Sequence, residues 1–255
     1  MSVQRLSLEG PRPWVMAHRG ASDLAPENSL ASFDLAVRHG ADLIETDIWL
    51  TADGQIVCHH DATLQRMTGD PRRVTAVSQS QLMTLRLNTE HGIAGERIPT
   101  LQQLVEQTPP HVVIVAEIKD PSFRHPGPLA QLLRVLGARV QAQRAGIIAE
   151  DLGLIRAIKR QAPDLVAGHI AITRPHANST TELLGPYWPW LAINPAYVRR
   201  AHARGQRVCP LDPDLHRRLP RYLSMDVDAV LTNDPRTTRA LIEQHRTASP
   251  TGARP

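Results

Sequence analysis

The feature that most constrains this chain is an alternation of short β-rich runs with helical segments, which continues through most of its 255 residues. Eight strand-like runs alternating with helices over about 250 residues are typical of a closed barrel of parallel strands. An open doubly wound sheet is the alternative, but the chain has no Gly-x-Gly-x-x-Gly segment to support it. The sequence therefore predicts an α/β fold, a (β/α)8 barrel. The predicted strands are Trp14–Ala17, Leu43–Ile48, Val112–Ile118, Gly146–Ile148, Val166–Ile172, Leu191–Ile193, Arg207–Val208 and Ala229–Leu231.

Two stretches interrupt the alternation. About fifty residues separate the second strand from a helix near Leu101, and they open with a turn at Ala52–Gly54 and an alternating run at Gln55–His59. This pattern indicates a hairpin followed by an insertion over one end of the barrel. The second stretch, Thr173–Pro189, is polar and contains proline, so we expect a loop. That stretch leads into a group of aromatic residues, Tyr187, Trp188 and Trp190.

Charge and composition exclude several classes of function. The net charge of +4 is the excess of 29 basic over 25 acidic residues, and the basic residues are 27 scattered arginines and only two lysines, Lys119 and Lys159. No basic block with interleaved aromatics occurs, so we expect an anionic small molecule rather than nucleic acid as partner. The longest apolar run, Val112–Ala116, is far short of the roughly 20 residues of a membrane span. The first residues lack the apolar run of a signal peptide, and we expect a cytoplasmic protein whose oligomeric state is open.

Carboxylates end two predicted strands. Glu45 and Asp47 lie two residues apart on the second strand, as do Glu117 and Lys119 on the third, and side chains two apart face the same side. Each pair closes an apolar run, which places it at the C-terminal end of its strand, the active-site face of a barrel. Three converging carboxylates repel one another unless a cation lies between them. All-oxygen ligation suits Mg²⁺ or Ca²⁺ rather than zinc.

Cationic and imidazole side chains accompany these carboxylates. Lys119, beside such an ion, and Arg19, after the first strand, are suited to hold a phosphate. His18 and His60 are candidates for proton transfer, because imidazole titrates near neutral pH. Phosphodiester cleavage needs neutralised phosphoryl oxygens, a base for the nucleophile and an acid for the leaving alcohol, and this set offers a candidate for each.

Short motifs in a fixed order point to a family. They are His-Arg-Gly at 18–20, Pro-Glu-Asn at 26–28, Glu-x-Asp at 45–47, Thr-x-Asp-Gly at 51–54, His-Asp at 60–61 and Glu-x-Lys at 117–119. In this order and spacing they resemble the glycerophosphodiester phosphodiesterases, a TIM-barrel family. The resemblance runs from Val15 to Pro235 and includes the closing segment Val227–Pro235.

The resemblance implies a single TIM-barrel domain over residues 1–255, with a small insertion at about Thr63–Arg97. The Pro, Ala, Ser and Gly content of residues 247–255 predicts a disordered tail. It implies metal-dependent hydrolysis of glycerophosphodiesters to glycerol 3-phosphate and an alcohol, within lipid and glycerol metabolism. The cofactor would be Mg²⁺ or Ca²⁺. The implied roles are general acid and base for His18 and His60, metal binding for Glu45, Asp47 and Glu117, and phosphate binding for Arg19 and Lys119.

Several alternatives stay open. Glu27 and Asn28 could cap the helix that begins near Ser29 or support the metal site from behind its ligands. The family's Trp-Thr-Val-Asn on the seventh strand is Leu211–Asp214 here, which removes an aromatic wall, adds negative charge and puts the substrate in doubt. Its Thr-Asp on the eighth strand reads Thr-Asn at 232–233. A lysophospholipase D acting on lysophospholipids and a non-catalytic phosphoester-binding barrel are the alternative functions.

Overall fold

The computed structural model describes residues 5–88, 93–173 and 180–248. The sequence of elements in these residues follows the predicted alternation of strands and helices. The strands are β1 (Trp14–His18), β2 (Leu43–Leu50), β3 (Ile56–Cys58), β4 (Val113–Ile118), β5 (Ala145–Ala149), β6 (Val166–Ala171), β7 (Leu183–Pro186), β8 (Arg207–Val208) and β9 (Ala229–Thr232).

The sheet is a nearly closed barrel. Eight strands are parallel and follow the order β8-β7-β6-β5-β4-β2-β1-β9, while β3 pairs with β2 in antiparallel orientation. The backbone N–H of Asp228, just before β9, donates to the carbonyl oxygen of Val208 in β8 at 3.0 Å and bridges the two ends of the sheet. The predicted (β/α)8 barrel and its hairpin after the second strand are confirmed.

Helices surround the strands. The first of them begins at a capping box, in which Ser29 Oγ accepts from the backbone N–H of Ser32 and Ser32 Oγ accepts from that of Ser29. Within the described residues, no helix is both long and apolar enough to cross a membrane. The helices are α1 (Leu30–Arg38), α2 (Gln65–Thr68), α3 (Gln79–Leu82), α4 (Leu101–Gln107), α5 (Pro126–Leu136), α6 (Ala138–Gln141), α7 (Leu152–Gln161), α8 (Trp188–Ile193), α9 (Tyr197–His202), α10 (Leu215–Ser224) and α11 (Pro235–Ala248).

Alternation along the strands separates the core from the site. On β1, Trp14 and Met16 point into the barrel and pack with interior residues of other strands, whereas Val15 and Ala17 pack against the helices. His18 continues the inward series at the C-terminal end of β1. The same alternation on β2 and β4 carries their inward-facing side chains from apolar residues to carboxylates at the mouth.

The prediction for the sixth parallel strand is wrong. Leu191–Ile193 belongs to α8, and the strand, β7, lies inside the stretch predicted as a loop. Pro189 stands in the first turn of α8, where its missing N–H costs nothing, so Trp-Pro-Trp begins a helix rather than ending a loop. Residues 174–179 of the predicted loop lie outside the described residues.

The insertion packs on the hairpin. Its buried Leu64, Met67 and Val74 form a hydrophobic cluster with Trp49 of β2 and Val57 of β3, apart from the main barrel core. The described part of the insertion therefore rests on the mouth of the barrel, as predicted. At the C-terminus α11 continues to residue 248, so the first two residues of the predicted tail are helical, and residues 249–255 lie outside the described residues.

Candidate active site

Three carboxylates meet at the C-terminal mouth of the barrel. Glu45 and Asp47 on β2 and Glu117 on β4 offer ligand oxygens that all lie within 4.8 Å of one another. The strand register places Asp47 beside Glu117, and His18 of β1 beside Glu45. Each carboxylate is buried, with at most 7% of the residue exposed. The cluster is thus held by the backbone pairing of three neighbouring strands.

The cluster is electrostatically costly without a cation. Burial, and then the negative charges of Asp47 and Glu117, raise the pKa of Glu45 well above its ordinary value. Burial and the charge of Asp47 raise the pKa of Glu117 to about 7. Oε1 of Glu45 is buried and accepts no hydrogen bond from any residue that the structure describes. An all-oxygen set with an unsatisfied buried oxygen fits a hard divalent cation.

Two cationic side chains border the carboxylates. Lys119 Nζ donates to Glu117 Oε1 and lies 3.3 Å from Oδ1 of Asp47, while Arg19 Nε lies 3.2 Å from Oδ2 of Asp47. Burial lowers the pKa of Lys119, but the charges of Asp47 and Glu117 outweigh it and raise that pKa. Lys119 is therefore a charged ammonium group at the site. Both predicted phosphate-binding residues reach the carboxylate cluster.

The loop after β1 is shaped to deliver its side chains to this cluster. Arg19 has a φ of 57°, and its backbone N–H donates to Oε2 of Glu45 at 3.0 Å. Gly20 follows with a φ of 81°, and a Cβ there would lie 2.7 Å from the backbone carbonyl carbon of Ser32. Only glycine fits between the loop and α1.

Asn28 supports the cluster rather than capping α1. Its Nδ2 donates to Oδ2 of Asp47 at 3.0 Å, and its Oδ1 accepts from the hydroxyl of Thr46 at 2.7 Å. The helix cap is supplied by Ser29 instead. Asn28 is buried and also has a positive φ, of 56°. The structure therefore favours the second interpretation of Asn28, in which it supports a predicted metal ligand.

His18 lies beside a cavity of about 410 Å³. Its Nδ1 lies 2.8 Å from Oδ1 of Asn233, the residue that replaces the aspartate usual in the resembling family. Burial, and then the positive charge of Arg19, lower the pKa of His18. The imidazole is therefore held largely neutral at pH 7. The cavity is also lined by Tyr187 and by the segment from Leu211 to Leu215, and the tryptophans at 188 and 190 do not line it.

His60 is held by a chain of charged groups. Its Nδ1 lies 2.7 Å from Oδ1 of Asp61, whose Oδ2 accepts from Arg66 Nε at 2.6 Å. Arg66 Nη2 also donates to Glu27 at 2.6 Å, and Glu27 accepts from Arg19 Nη1 at 3.1 Å. Burial alone would raise the pKa of Asp61, but the hydrogen bonds from Arg66 and His60 lower it to about 2. Asp61 is therefore ionised next to His60.

The negative charge expected from Leu211–Asp214 is offset. Asp212 and Asp214 line the cavity as predicted, but Asp212 accepts from Arg218 Nη1 at 2.6 Å and from the hydroxyl of Tyr222. Oδ2 of Asp214 lies 3.7 Å from the same guanidinium. Arg218 therefore acts as the counterion of both aspartates at the substituted strand end.

The structure gathers most of the predicted site into one network. It joins the three carboxylates, Arg19, Lys119, Glu27 and Asn28, and it connects His60 to them through Arg66. Sequence reasoning missed Arg66, because nothing in a single sequence separates it from 26 other arginines. Arg66 stands five residues after Asp61 and six after His60, a spacing that by itself predicts no contact.

A barrel with carboxylates, imidazoles and cations at its C-terminal mouth has the architecture of an enzyme. Residues 18–237 match the model of the "Glycerophosphoryl diester phosphodiesterase family". The chain is 30% identical over 237 residues to the glycerophosphodiester phosphodiesterase of Caldanaerobacter subterraneus subsp. tengcongensis, covering 90% of this chain and 98% of that protein. It is also 30% identical over 249 residues to a glycerophosphodiester phosphodiesterase of Arabidopsis thaliana, covering 92% of this chain and 75% of that one.

Solved structures share the fold. A phosphodiesterase of Oleispira antarctica in complex with the product sn-glycerol-3-phosphate superposes with a TM-score of 0.79 at 23% identity, over 91% of this chain and 97% of that one. A glycerophosphoryl diester phosphodiesterase structure from Silicibacter pomeroyi has a TM-score of 0.78 at 24% identity, over 94% of each chain. The family and sequence matches define the chain as a phosphoric diester hydrolase. It belongs to the glycerophosphoryl diester phosphodiesterase family.

Proposed function

We propose that the chain catalyses the metal-dependent hydrolysis of glycerophosphodiesters to glycerol 3-phosphate and an alcohol, with His18 and His60 as general acid and base. The observation that carries the proposal is the buried carboxylate cluster at the barrel mouth, where the pKa values of Glu45 and Glu117 are raised and β2 lies beside the strand that ends in His18. The product named for the Oleispira relative, sn-glycerol-3-phosphate, agrees with this substrate class.

The ion would be Mg²⁺ or Ca²⁺, held by Glu45, Asp47 and Glu117. When bound, a divalent cation neutralises charge on phosphoryl oxygens. Asn28 orients Asp47 through the hydrogen bond to Oδ2. Arg19 and Lys119 bind the phosphate, since both already lie against the carboxylates and carry permanent positive charge there.

The two histidines transfer protons. Asn233 fixes the ring of His18 beside the cavity, and Asp61 fixes the ring of His60. In each case the contact occupies Nδ1 and leaves Nε2 for the substrate or water. One imidazole accepts the proton of the attacking hydroxyl, which belongs to water or to the glycerol 2-position, and the other donates a proton to the leaving alcohol.

The test is the release of glycerol 3-phosphate from glycerophosphocholine and glycerophosphoethanolamine, with EDTA and then with added Mg²⁺ or Ca²⁺. We expect EDTA to stop turnover and one ion to restore it. His18→Ala and His60→Ala should each abolish turnover without loss of fold or ion binding, while His111→Ala, at an exposed histidine, should be neutral. Retained turnover in either variant removes that residue from the mechanism. No turnover of any phosphodiester, with retained binding of glycerol 3-phosphate, would favour the non-catalytic binding barrel.

A lysophospholipase D activity is the second candidate, and an apolar rim favours it. Ile172 is 46% exposed and Ile193 is 72% exposed, and the Trp190 indole donates to the carbonyl oxygen of Ile172 at 3.0 Å. These residues follow β6 and β7 at the mouth of the barrel, where a lipid tail could lie. Choline release from lysophosphatidylcholine, compared with Ile193→Ser, tests this candidate. Loss of that release in the variant, with glycerophosphocholine turnover kept, would support a lipid substrate.

The proposal extends to the cellular location and the metabolic role of the protein. We propose a cytoplasmic protein that acts in lipid and glycerol metabolism on a small-molecule substrate. Cell fractionation with an antibody against the chain checks the location, and recovery in a membrane pellet would contradict it.

A further inference from the structure

Arg66 lies between two parts of the site. It belongs to α2 in the insertion, and its guanidinium group makes two hydrogen bonds of 2.6 Å, one from Nε to Asp61 and one from Nη2 to Glu27. Asp61 uses its other oxygen to hold His60, and Glu27 also binds Arg19. Arg66 therefore connects the segment that carries His60 with the loop that carries Arg19.

We propose that Arg66 is a positioning residue for the hydrolysis, one that fixes the ring orientation and tautomer of His60 by holding Asp61 in place. The proposal rests on the function proposed above. Asp61 is 28% exposed, so its orientation depends on its partners: one oxygen holds the imidazole and the other is held by the guanidinium. The planar guanidinium group is suited to this, because Nε and Nη2 present donors in fixed directions to two different carboxylates.

Inside the insertion the Arg66 guanidinium group donates from Nη1 to Sδ of Met67 at 3.1 Å, a weak acceptor, and the main anchoring of this segment comes from other groups. The backbone carbonyl oxygen of Arg66 accepts from Asn88 Nδ2 at 2.6 Å, and its neighbours Leu64 and Met67 lie in the hydrophobic cluster of the insertion. These contacts remain when the side chain is shortened to alanine. The guanidinium group itself is 46% exposed, so its removal leaves no large cavity.

Three variants separate positioning from structure. In Arg66→Ala we expect kcat to fall about 10- to 100-fold with KM changed by less than threefold, as for residues that orient catalytic groups. Arg66→Lys should recover part of this loss, since one ammonium group can hold Asp61 but does not reproduce both hydrogen bonds. The matched control is Arg72→Ala, which removes an arginine of the same insertion that pairs only locally with Asp70 at 2.6 Å. It should have parental kinetics.

A spectroscopic measurement tests the proposal without activity. Imidazole ¹H–¹⁵N spectra, with the His60 signals assigned from His60→Gln, report which ring nitrogen carries the proton. In the parent protein we expect the neutral ring to be protonated at Nδ1, and in Arg66→Ala we expect a larger share of the Nε2 tautomer. An unchanged His60 signal in Arg66→Ala overturns the proposal, as does a rise in KM with kcat retained. An inactive parent protein refutes the proposed function instead, and the spectra then still decide the role of Arg66.

Discussion

Removing a predicted metal ligand should stabilise the protein when no metal is bound. Glu117→Gln replaces a buried carboxylate by its neutral isostere next to Asp47 and Lys119. The raised pKa of Glu117 means that its ionised form is unfavourable in the folded state, because burial and the charge of Asp47 disfavour it. Glutamine keeps the shape and an acceptor oxygen for Lys119. We therefore expect the variant to be more stable than the parent protein in EDTA at high pH.

The magnitude follows from proton linkage. A pKa raised from 4.5 to about 7 in the folded state corresponds to roughly 3 kcal/mol of stability. For a carboxyl of raised pKa this stability is present at pH below 4.5, is lost as the pH rises to 7, and is absent above pH 7. The parent protein should therefore lose stability relative to the variant over that interval. On a domain of this size the full difference shifts the Tm by about 6–12 °C.

Thermal unfolding of both proteins in EDTA at pH 5 and pH 8.5 is the assay, repeated with excess Mg²⁺ or Ca²⁺. At pH 8.5 the Tm of the variant should be higher than that of the parent protein. At pH 5 the difference in Tm should be much smaller. The added ion should raise the Tm of the parent more than that of the variant, since binding to the folded state alone is stabilising. A variant less stable than the parent in EDTA at pH 8.5 would refute the electrostatic reasoning.

Three further changes test other parts of the site. Glu45→Gln should weaken divalent-ion affinity at least tenfold in isothermal titration calorimetry, and an unchanged isotherm would contradict its role as a ligand. Asn28→Ala should weaken the same affinity by about tenfold, because Asp47 loses the amide that orients it, whereas the cap residue Ser29 is untouched. Gly20→Ala should lower the free energy of unfolding by at least about 1–2 kcal/mol in urea titrations, since the new methyl group meets Ser32 in a backbone conformation with positive φ. Gly54→Ala is the matched control, because Gly54 also has positive φ but no atom within 4 Å of the new methyl group. It therefore measures the cost of backbone strain without a steric clash.

The relative positions of the candidate site residues are easier to predict from sequence than the bounds of every strand. Strand alternation is strictly two residues, so Glu45, Asp47 and Glu117 had to share a face once their strands were assigned. β7 was misplaced because its four residues end in Gly-Pro and carry no alternating pattern. The run Leu191–Ile193 has the apolar character of a strand, and only its position after Pro189 marks it as helical. Tertiary contacts such as Arg66 with Glu27, 39 residues apart, have no local signal at all.

The segment after β8, the seventh parallel strand, is a second case in which tertiary contacts have no local sequence signal. Sequence comparison presents Leu211–Asp214 as a lost aromatic wall and added negative charge. In the fold, the side chain of Asp212 is buried and binds Arg218, and the guanidinium group of Arg218 lies 3.8 Å from the ring centroid of Trp188. The aspartate thus anchors the arginine that covers an aromatic residue outside the cavity. Because the charge of Asp212 is paired with Arg218, the segment makes the space beside His18 less acidic than its sequence indicates. We therefore expect the change to alter substrate range rather than proton transfer.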